Sequence, residues 1–298
     1  QTGLAAAAAI EAYRNNSIRR HEETRPDKET DRVRHMEALG AQTGPVMVAH
    51  RPLDQAAEII GGIVKGKPAC DLVDAKGVSH ALWTVDDPAA TEGLARAFDG
   101  ETLYIADGHH RSAAAARVAA PGGAFLVVAF PCDEMRIIDY NRVVKDLNGL
   151  DKDAFVEKVS ASFDIEPSPG PARPSAPGRF GMYVEGAWHA LNLRRRPGAK
   201  ALAAARLDIS LLSRHLLEPV LGIGDPRTDG RIDFIGGIRG LEELERRVDS
   251  GDWAVAFALY PPSMDDLMAV CEAGQVMPPK STWFEPKLAD GLISLVLD

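Results

Sequence analysis

The sequence predicts a mixed fold, α/β or α+β, on three observations. Apolar runs of strand length recur at Val46 to Ala49, Ala124 to Phe130 and Trp253 to Tyr260, bounded by Gly, Pro or charged residues. Longer segments of helical period lie between such runs, among them Asp27 to Leu39 and Pro88 to Phe98. A stretch from Glu166 to Gly178 carrying Pro167, Pro169, Pro171, Pro174 and Pro177 excludes regular structure and divides the chain. It predicts two domains, 1–150 and 151–298, the second an α+β part.

In chain order, Gly3 to Ile10 is almost all Ala and reads equally as a helix or a buried strand. Ala12 to Ile18 is expected to be helical. A polar cluster follows from Arg19 to Lys28, and Pro26 opens a helix with Asp27 and Glu29 in its first turn. Thr43-Gly44-Pro45 turns the chain into a strand that ends at His50-Arg51-Pro52, a basic pair placed where α/β sheets often carry sites. Leu53 to Lys65 is predicted helical; Ala69 to Val73 and His80 to Val85 are strands joined by a turn at Asp74 to Gly77; Pro88 to Phe98 is a helix. Leu103 to Ile105 is a short buried strand, Asp107-Gly108 a tight turn, and Ser112 to Ala120 a helix of small residues. Ala124 to Phe130 has the continuous apolarity of a central strand.

Asp151 to Phe163 then reads as an amphipathic helix, and Phe180 to Val184 with Trp188 to Leu193 as a hairpin turning at Glu185-Gly186. Asp208 is expected to cap a helix from Ile209 to Leu221. After a Gly- and charge-rich segment, 222–240, come a helix at Leu241 to Val248, the strand at 253–260 and a helix at Ser263 to Ala273 opened by a Ser-x-Asp-Asp cap. Met277 to Lys287 is irregular, and Leu292 to Leu297 is a last strand.

Composition narrows the function classes. Hydrophobic residues make up 45% and charged residues 26% of the 298, the balance of a chain with a packed core. A net charge of −9 argues against nucleic acid and anionic membranes as broad partners and leaves small molecules. Cys70, Cys132 and Cys271 are widely spaced and show no CxxC, which suits a reducing cytoplasm. No run reaches the length of a membrane span. The chain opens at Gln1 without a Met or a basic leader, so an upstream segment is expected.

The densest chemistry lies at Asp107-Gly108-His109-His110-Arg111-Ser112, where a strand turns into a helix. Backbone N–H groups and the positive end of a helix dipole suit an anion there. Gly108 allows close approach, Arg111 offers a planar fork for phosphate, and His109 and His110 add donors. Further basic groups are Arg25, Arg51 and Lys280, with a carboxylate pair at Glu22-Glu23. These are the parts of phosphoryl chemistry: positioning, charge neutralisation and a base for a hydroxyl proton. Neither GxxxxGK[ST] nor the kinase signature set occurs. A competing reading is a metal-dependent hydrolase using His109, His110, His21 and Asp107, although adjacent histidines point in different directions and no HxxxH or HExxH is present.

The runs Gln1-Thr2-Gly3-Leu4, His21-Glu22 to Lys28, Asp107 to Arg111, Asp139-Tyr140-Asn141-Arg142 and Pro278-Pro279-Lys280-Ser281-Thr282-Trp283-Phe284 together resemble the bacterial and archaeal family catalogued as domain of unknown function 1015. More distantly, the Asp-Gly-His-His-Arg turn before a small-residue helix is similar to the phosphate-binding motif of ParB/sulfiredoxin-like proteins, which include free-serine kinases. That resemblance implies a ParB/sulfiredoxin-like mixed core in 1–150 with ATP or ADP and Mg²⁺ as cofactors. It implies catalytic roles for Glu22, as base, and Asp107, near the attacked phosphate or its Mg²⁺, with Gly108, His110 and Arg111 on phosphate; by residue type His109 and Lys280 are expected to add to the phosphate site, and His21, Arg25 and Arg51 to lie toward the substrate. The expected activity is phosphotransfer to a small hydroxyl compound, free serine first, and the alternative is a non-enzymatic nucleotide sensor. Sulfiredoxin's cysteine has no counterpart, since His109 precedes His110.

Overall fold

A computed structural model describes residues 1–75 and 77–297. The chain divides into two compact units, one of Gln1–Arg136 together with the tail from Pro286, and one of Ile137–Glu285. The first unit therefore takes back the C-terminal tail. The Pro-rich stretch, 166–178, lies inside the second unit, which begins at Ile137 where the sequence places a boundary at 150/151.

The first unit opens with β1 (Leu4–Ala9), α1 (Ile10–Arg14), β2 (Ile18–Arg19), α2 (Pro26–Leu39), β3 (Ala41–Gln42), β4 (Val46–His50) and α3 (Asp54–Ile63). It continues with β5 (Cys70–Val73), β6 (Ser79–Leu82), α4 (Pro88–Phe98), β7 (Leu103–Asp107), α5 (His109–Val118) and β8 (Ala124–Pro131). The Ala run is thus a strand, and it pairs antiparallel with β8 from Leu4↔Ala129 to Ala9↔Ala124. The helix expected from Ala12 to Ile18 ends at Arg14, because Ile18 and Arg19 join the sheet beside Leu103 and Tyr104. Lys76, in the predicted turn between β5 and β6, lies outside the described residues.

The five-stranded sheet runs β1-β8-β4-β7-β2. Its β4/β8 and β2/β7 pairs are parallel, and its β1/β8 and β4/β7 pairs antiparallel. Ile10, Ile18, Val48, Ile105, Phe125 and Val127 form its core with Ala113, Ala114 and Ala115 of α5. The small side chains of α5 let that helix sit close on the sheet, and Ala114 is fully buried.

The second unit contains β9 (Ile137–Ile138), β10 (Tyr140–Val144), α6 (Lys152–Ser160), β11 (Phe163–Ser168), β12 (Arg179–Val184), β13 (Ala187–Leu193) and α7 (Asp208–Leu212). After these come β14 (Ile232–Gly236), α8 (Glu242–Asp249), β15 (Val255–Leu259), α9 (Met264–Glu272) and β16 (Trp283–Phe284). Its six-stranded sheet, β11-β13-β12-β15-β10-β14, is antiparallel throughout. Phe155, Phe163, Phe180, Leu191, Leu211 and Phe257 are buried in its core. Proline does not exclude β11, which runs through Pro167 to Ser168; as an edge strand it needs no second ladder of N–H donors.

The hairpin β12/β13 turns as predicted through Glu185 and Gly186, both at positive φ (46° and 75°). Ser263 and Asp266 form a capping box at α9. Asp208 does not cap a helix. Leu207 occupies the N-cap position of α7, and both carboxylate oxygens of Asp208 accept from the Gly178 N–H at 2.8 and 2.9 Å. The tail strand β17 (Leu295–Val296) pairs with β3 in the first unit. The three cysteines form no disulfide, and among the described residues no helix is long and apolar enough to cross a membrane.

Candidate functional site

The site assembles where β7 runs into α5. Val48 pairs with Ile105 but Met47 pairs with Asp107, so Ala106 is a bulge that re-aims Asp107 at the strand's end. Gly108 follows at φ +105°, a conformation costly for any side chain, and α5 starts at once. The helix begins at His109, earlier than the predicted Ser112, which puts both histidines and Arg111 in its first turn.

Asp107 is held by two cations. Arg111 Nη2 donates to Oδ2 at 3.0 Å and Lys287 Nζ to Oδ1 at 3.0 Å. Burial pushes the Asp107 carboxyl up, but the charges and hydrogen bonds of Lys287 and Arg111 outweigh it and hold the group below the usual carboxylate range. Arg111 Nε is buried without a hydrogen-bond partner among the described residues. A Cβ on Gly108 would lie 3.0 Å from Arg111 Nη2 and 3.1 Å from Nε, so only glycine leaves the guanidinium where it is. On the other side Arg111 Cδ and Asp290 Oδ1 lie 3.2 and 2.6 Å from the Cβ position of Gly44.

The upstream His-Glu pair reaches this junction through the sheet. The parallel register Ile18↔Leu103 and Arg19↔Tyr104 carries the next residues along β7 toward Asp107. The ring of His21 meets that of His109 edge to face, centroids 4.4 Å apart, and Glu22 Oε2 lies 3.9 Å from His109 Nδ1. His21 and His109 are buried, whereas the Glu22 side chain is 40% exposed. Burial pushes His21 down to about 4, against the opposing effects of the Ile105 carbonyl and Asp107. Burial also takes His109 well below its ordinary value, with His21, His110, Arg20 and Arg111 acting in the same direction. Both rings are neutral at neutral pH.

The remaining predicted residues divide. His110 Nε2 accepts from the Arg25 backbone N–H at 3.1 Å, so adjacent histidines do point apart, and His110 does not join His21 and His109. The Arg25 side chain pairs with Asp27 at 2.9 Å on an exposed surface. Arg51 is not brought to the cradle. β4 runs antiparallel to β7, placing Met47 opposite Asp107 and Ala49 opposite Tyr104, so Arg51 follows the far end of the strand.

Lys280 belongs to the second unit. There its Nζ lies 5.9 Å from the Tyr140 ring centroid, and its backbone adopts φ +56°. Arg142, 2% exposed, donates to the carbonyls of Lys280 at 3.0 Å and Pro279 at 3.5 Å. Burial lowers the Arg142 guanidinium to about 9. The two motifs at 139–142 and 278–284 are thus partners in one structural clamp.

Sequence reasoning missed Lys287 and Asp290. Lys287 reaches Asp107 across 180 positions of chain, and nothing local in a Pro-flanked irregular segment marks it.

Solved structures of similar fold include a kinase complex and a truncated bacterial protein. A free serine kinase, as a glutamate-to-alanine variant in complex with AMP, matches with a TM-score of 0.50 at 15% identity, covering 100% of this chain and 93% of that one. SbnI with C-terminal truncation, from Staphylococcus aureus, matches with a TM-score of 0.53 at 12% identity, covering 96% of this chain and 85% of that one. At such identity the likeness is one of fold. No curated protein matches the chain by sequence. The profile of the family described as protein of unknown function (DUF1015) matches residues 1–210 of the 298, and the chain belongs to that family.

Proposed function

We propose that the protein is a nucleotide-dependent phosphotransferase acting on a small hydroxyl compound, with free serine as the leading substrate. The observation that carries this reading is the convergence of a half-exposed carboxylate, Glu22, on an anion cradle whose Arg111 Nε is buried without a partner among the described residues. An orphaned buried donor calls for an explanation, and a bound phosphate supplies one. The fold likeness to a free serine kinase in complex with AMP supports the same assignment.

In this reading the phosphates of ATP or ADP lie over Gly108 against the first turn of α5, held by Arg111 and Lys287. Asp107 positions those two cations. Both of its oxygens are engaged by them, so it is better suited to orienting charge than to ligating a metal. Mg²⁺ bound to the nucleotide would supply further neutralisation of phosphate charge, with Arg111 and Lys287 providing the protein's share. Glu22 accepts the proton of the substrate hydroxyl as its oxygen attacks the terminal phosphorus. One P–O bond forms, the bond to the leaving nucleotide breaks, and ADP or AMP departs. The neutral, buried His21 and His109 fix the Glu22 side of the site without adding charge.

The test pairs two variants. Arg111→Ala should abolish calorimetric binding of ATP or ADP. Glu22→Gln should keep binding and lose roughly 10²- to 10⁴-fold in serine phosphorylation, the range for a general base. Nucleotide binding that survives Arg111→Ala unchanged would overturn the cradle. Binding without turnover in the parent would leave a nucleotide sensor in place of an enzyme.

A further inference from the structure

We propose that His21, Glu22 and His109 form a binding site for a divalent transition ion of the zinc class. One ligand atom from each of the three lies within 4.8 Å of the others. This donor set differs from the histidine-rich one that the sequence suggests, because His110 is turned away toward Arg25.

The set is what such an ion requires. Two imidazoles and one carboxylate make a three-ligand site that leaves a fourth position open. Imidazole donors favour zinc, nickel, cobalt or copper over Mg²⁺, which prefers oxygen and keeps its waters. The two imidazoles are fixed by burial, at 1% and 4% exposure, and by their edge-to-face contact. A hydrogen bond from the His21 ring to the Ile105 backbone carbonyl sets its tautomer and leaves the lone pair on the other nitrogen, the usual outer-shell arrangement of a metal-bound histidine.

Glu22 is the mobile member. Bonds of about 2 Å from a tetrahedral ion put its ligand atoms roughly 3.3 Å apart. The present 3.9 Å between Glu22 Oε2 and His109 Nδ1 closes by a small rotation of a side chain that is 40% exposed. The site stands independently of the phosphotransfer reading. The two intersect at Glu22, whose carboxylate cannot ligate an ion and take up a proton together, so zinc inhibits turnover if both hold.

Binding is read directly, on the full chain stripped of metal by a chelator, with Zn²⁺ alone titrated by calorimetry and no nucleotide present. Co²⁺ gives a second readout through its visible absorption bands. One Zn²⁺ should bind per chain, with Mg²⁺ failing to displace it. His109→Ala should weaken binding by at least about 100-fold, the upper end of what an outer-shell change costs. Glu22→Gln, a nearly isosteric change at a side chain 40% exposed, should weaken it about tenfold and alter the Co²⁺ spectrum. His80→Ala, at a histidine paired with Asp74 elsewhere in this unit, should change nothing.

The site is overturned if the parent binds no Zn²⁺, if Mg²⁺ competes equally, or if Glu22→Gln leaves both affinity and spectrum unchanged. Nucleotide titrations are run separately. Loss of nucleotide binding with zinc binding intact removes the phosphotransfer reading alone.

Discussion

Gly108→Ala separates backbone cost from site geometry. At φ +105° an alanine is strained, at about 1–3 kcal/mol for a residue in a sparsely populated region. Its Cβ would also stand 3.0 Å from Arg111 Nη2 and 3.1 Å from Nε, closer than ordinary contact, so the guanidinium must shift by a few tenths of an ångström or more. That shift disturbs the 3.0 Å bond to Asp107 and fills the space over which a phosphate would approach. Gly40→Ala is the control: Gly40 is also left-handed, at φ +60°, but a Cβ there meets nothing within 4 Å. Both variants should lose stability, and each kcal/mol should lower Tm by about 2–4 °C for a chain of this size. Only Gly108→Ala should lose nucleotide affinity, by at least about tenfold, because one charge-assisted hydrogen bond contributes roughly 1.5–3 kcal/mol. The assay is calorimetric titration of ADP and ATP beside thermal unfolding of the parent and both variants. Parental affinity in Gly108→Ala would refute the placement of the anion over this glycine.

Two further outcomes follow from the charges. Lys287→Met should raise the Asp107 pKa, since burial then opposes Arg111 alone, and should weaken nucleotide binding by about ten- to a hundred-fold; carboxyl carbon NMR of Asp107 and calorimetry check the two effects, and an unmoved Asp107 resonance would remove Lys287 from the site. Asp208 gives the second unit a pH dependence. Burial raises its carboxyl from 3.8 to about 7 in spite of the Gly178 N–H bonds and Arg196. The folded state therefore holds the proton more tightly than the unfolded chain. The resulting stability is full below 3.8 and is lost as pH rises through 7, by an amount of order 4 kcal/mol at about 1.4 kcal/mol per pH unit. Asp208→Asn should flatten urea midpoints between pH 5 and about 7; midpoint curves parallel to those of the parent would show that this carboxyl carries no such linkage.

Local order decided what could be read in advance. The strand, glycine turn and helix from Leu103 to Val118 are contiguous, so their periodicity and the demand for positive φ at Gly108 already locate the candidate site. The hairpin at Glu185-Gly186 and the capping box at Ser263 are legible for the same reason: their signals span a few residues. Tertiary partners decide where local signals do not. The Ala run is open between helix and strand in the sequence, and Leu4 to Ala9 is a strand because β8 offers a full antiparallel ladder. Pro167 ends no strand, because an edge strand has a side on which the missing N–H is not needed.

From the sequence alone came the mixed fold class, the junction at Asp107 to Arg111 and, through family resemblance, the interest of Glu22. The meeting of these residues is a tertiary fact. Glu22 comes beside His109 because β2 adds to β7 in parallel, across a long intervening segment, and a pairing of that range leaves no periodic trace in either strand. Lys287 joins Asp107 only because the tail after Glu285 folds back onto the first unit. Burial does the rest. It makes His21 and His109 neutral and leaves Arg111 Nε without a partner among the described residues, and burial is a property of packing that no single residue type encodes.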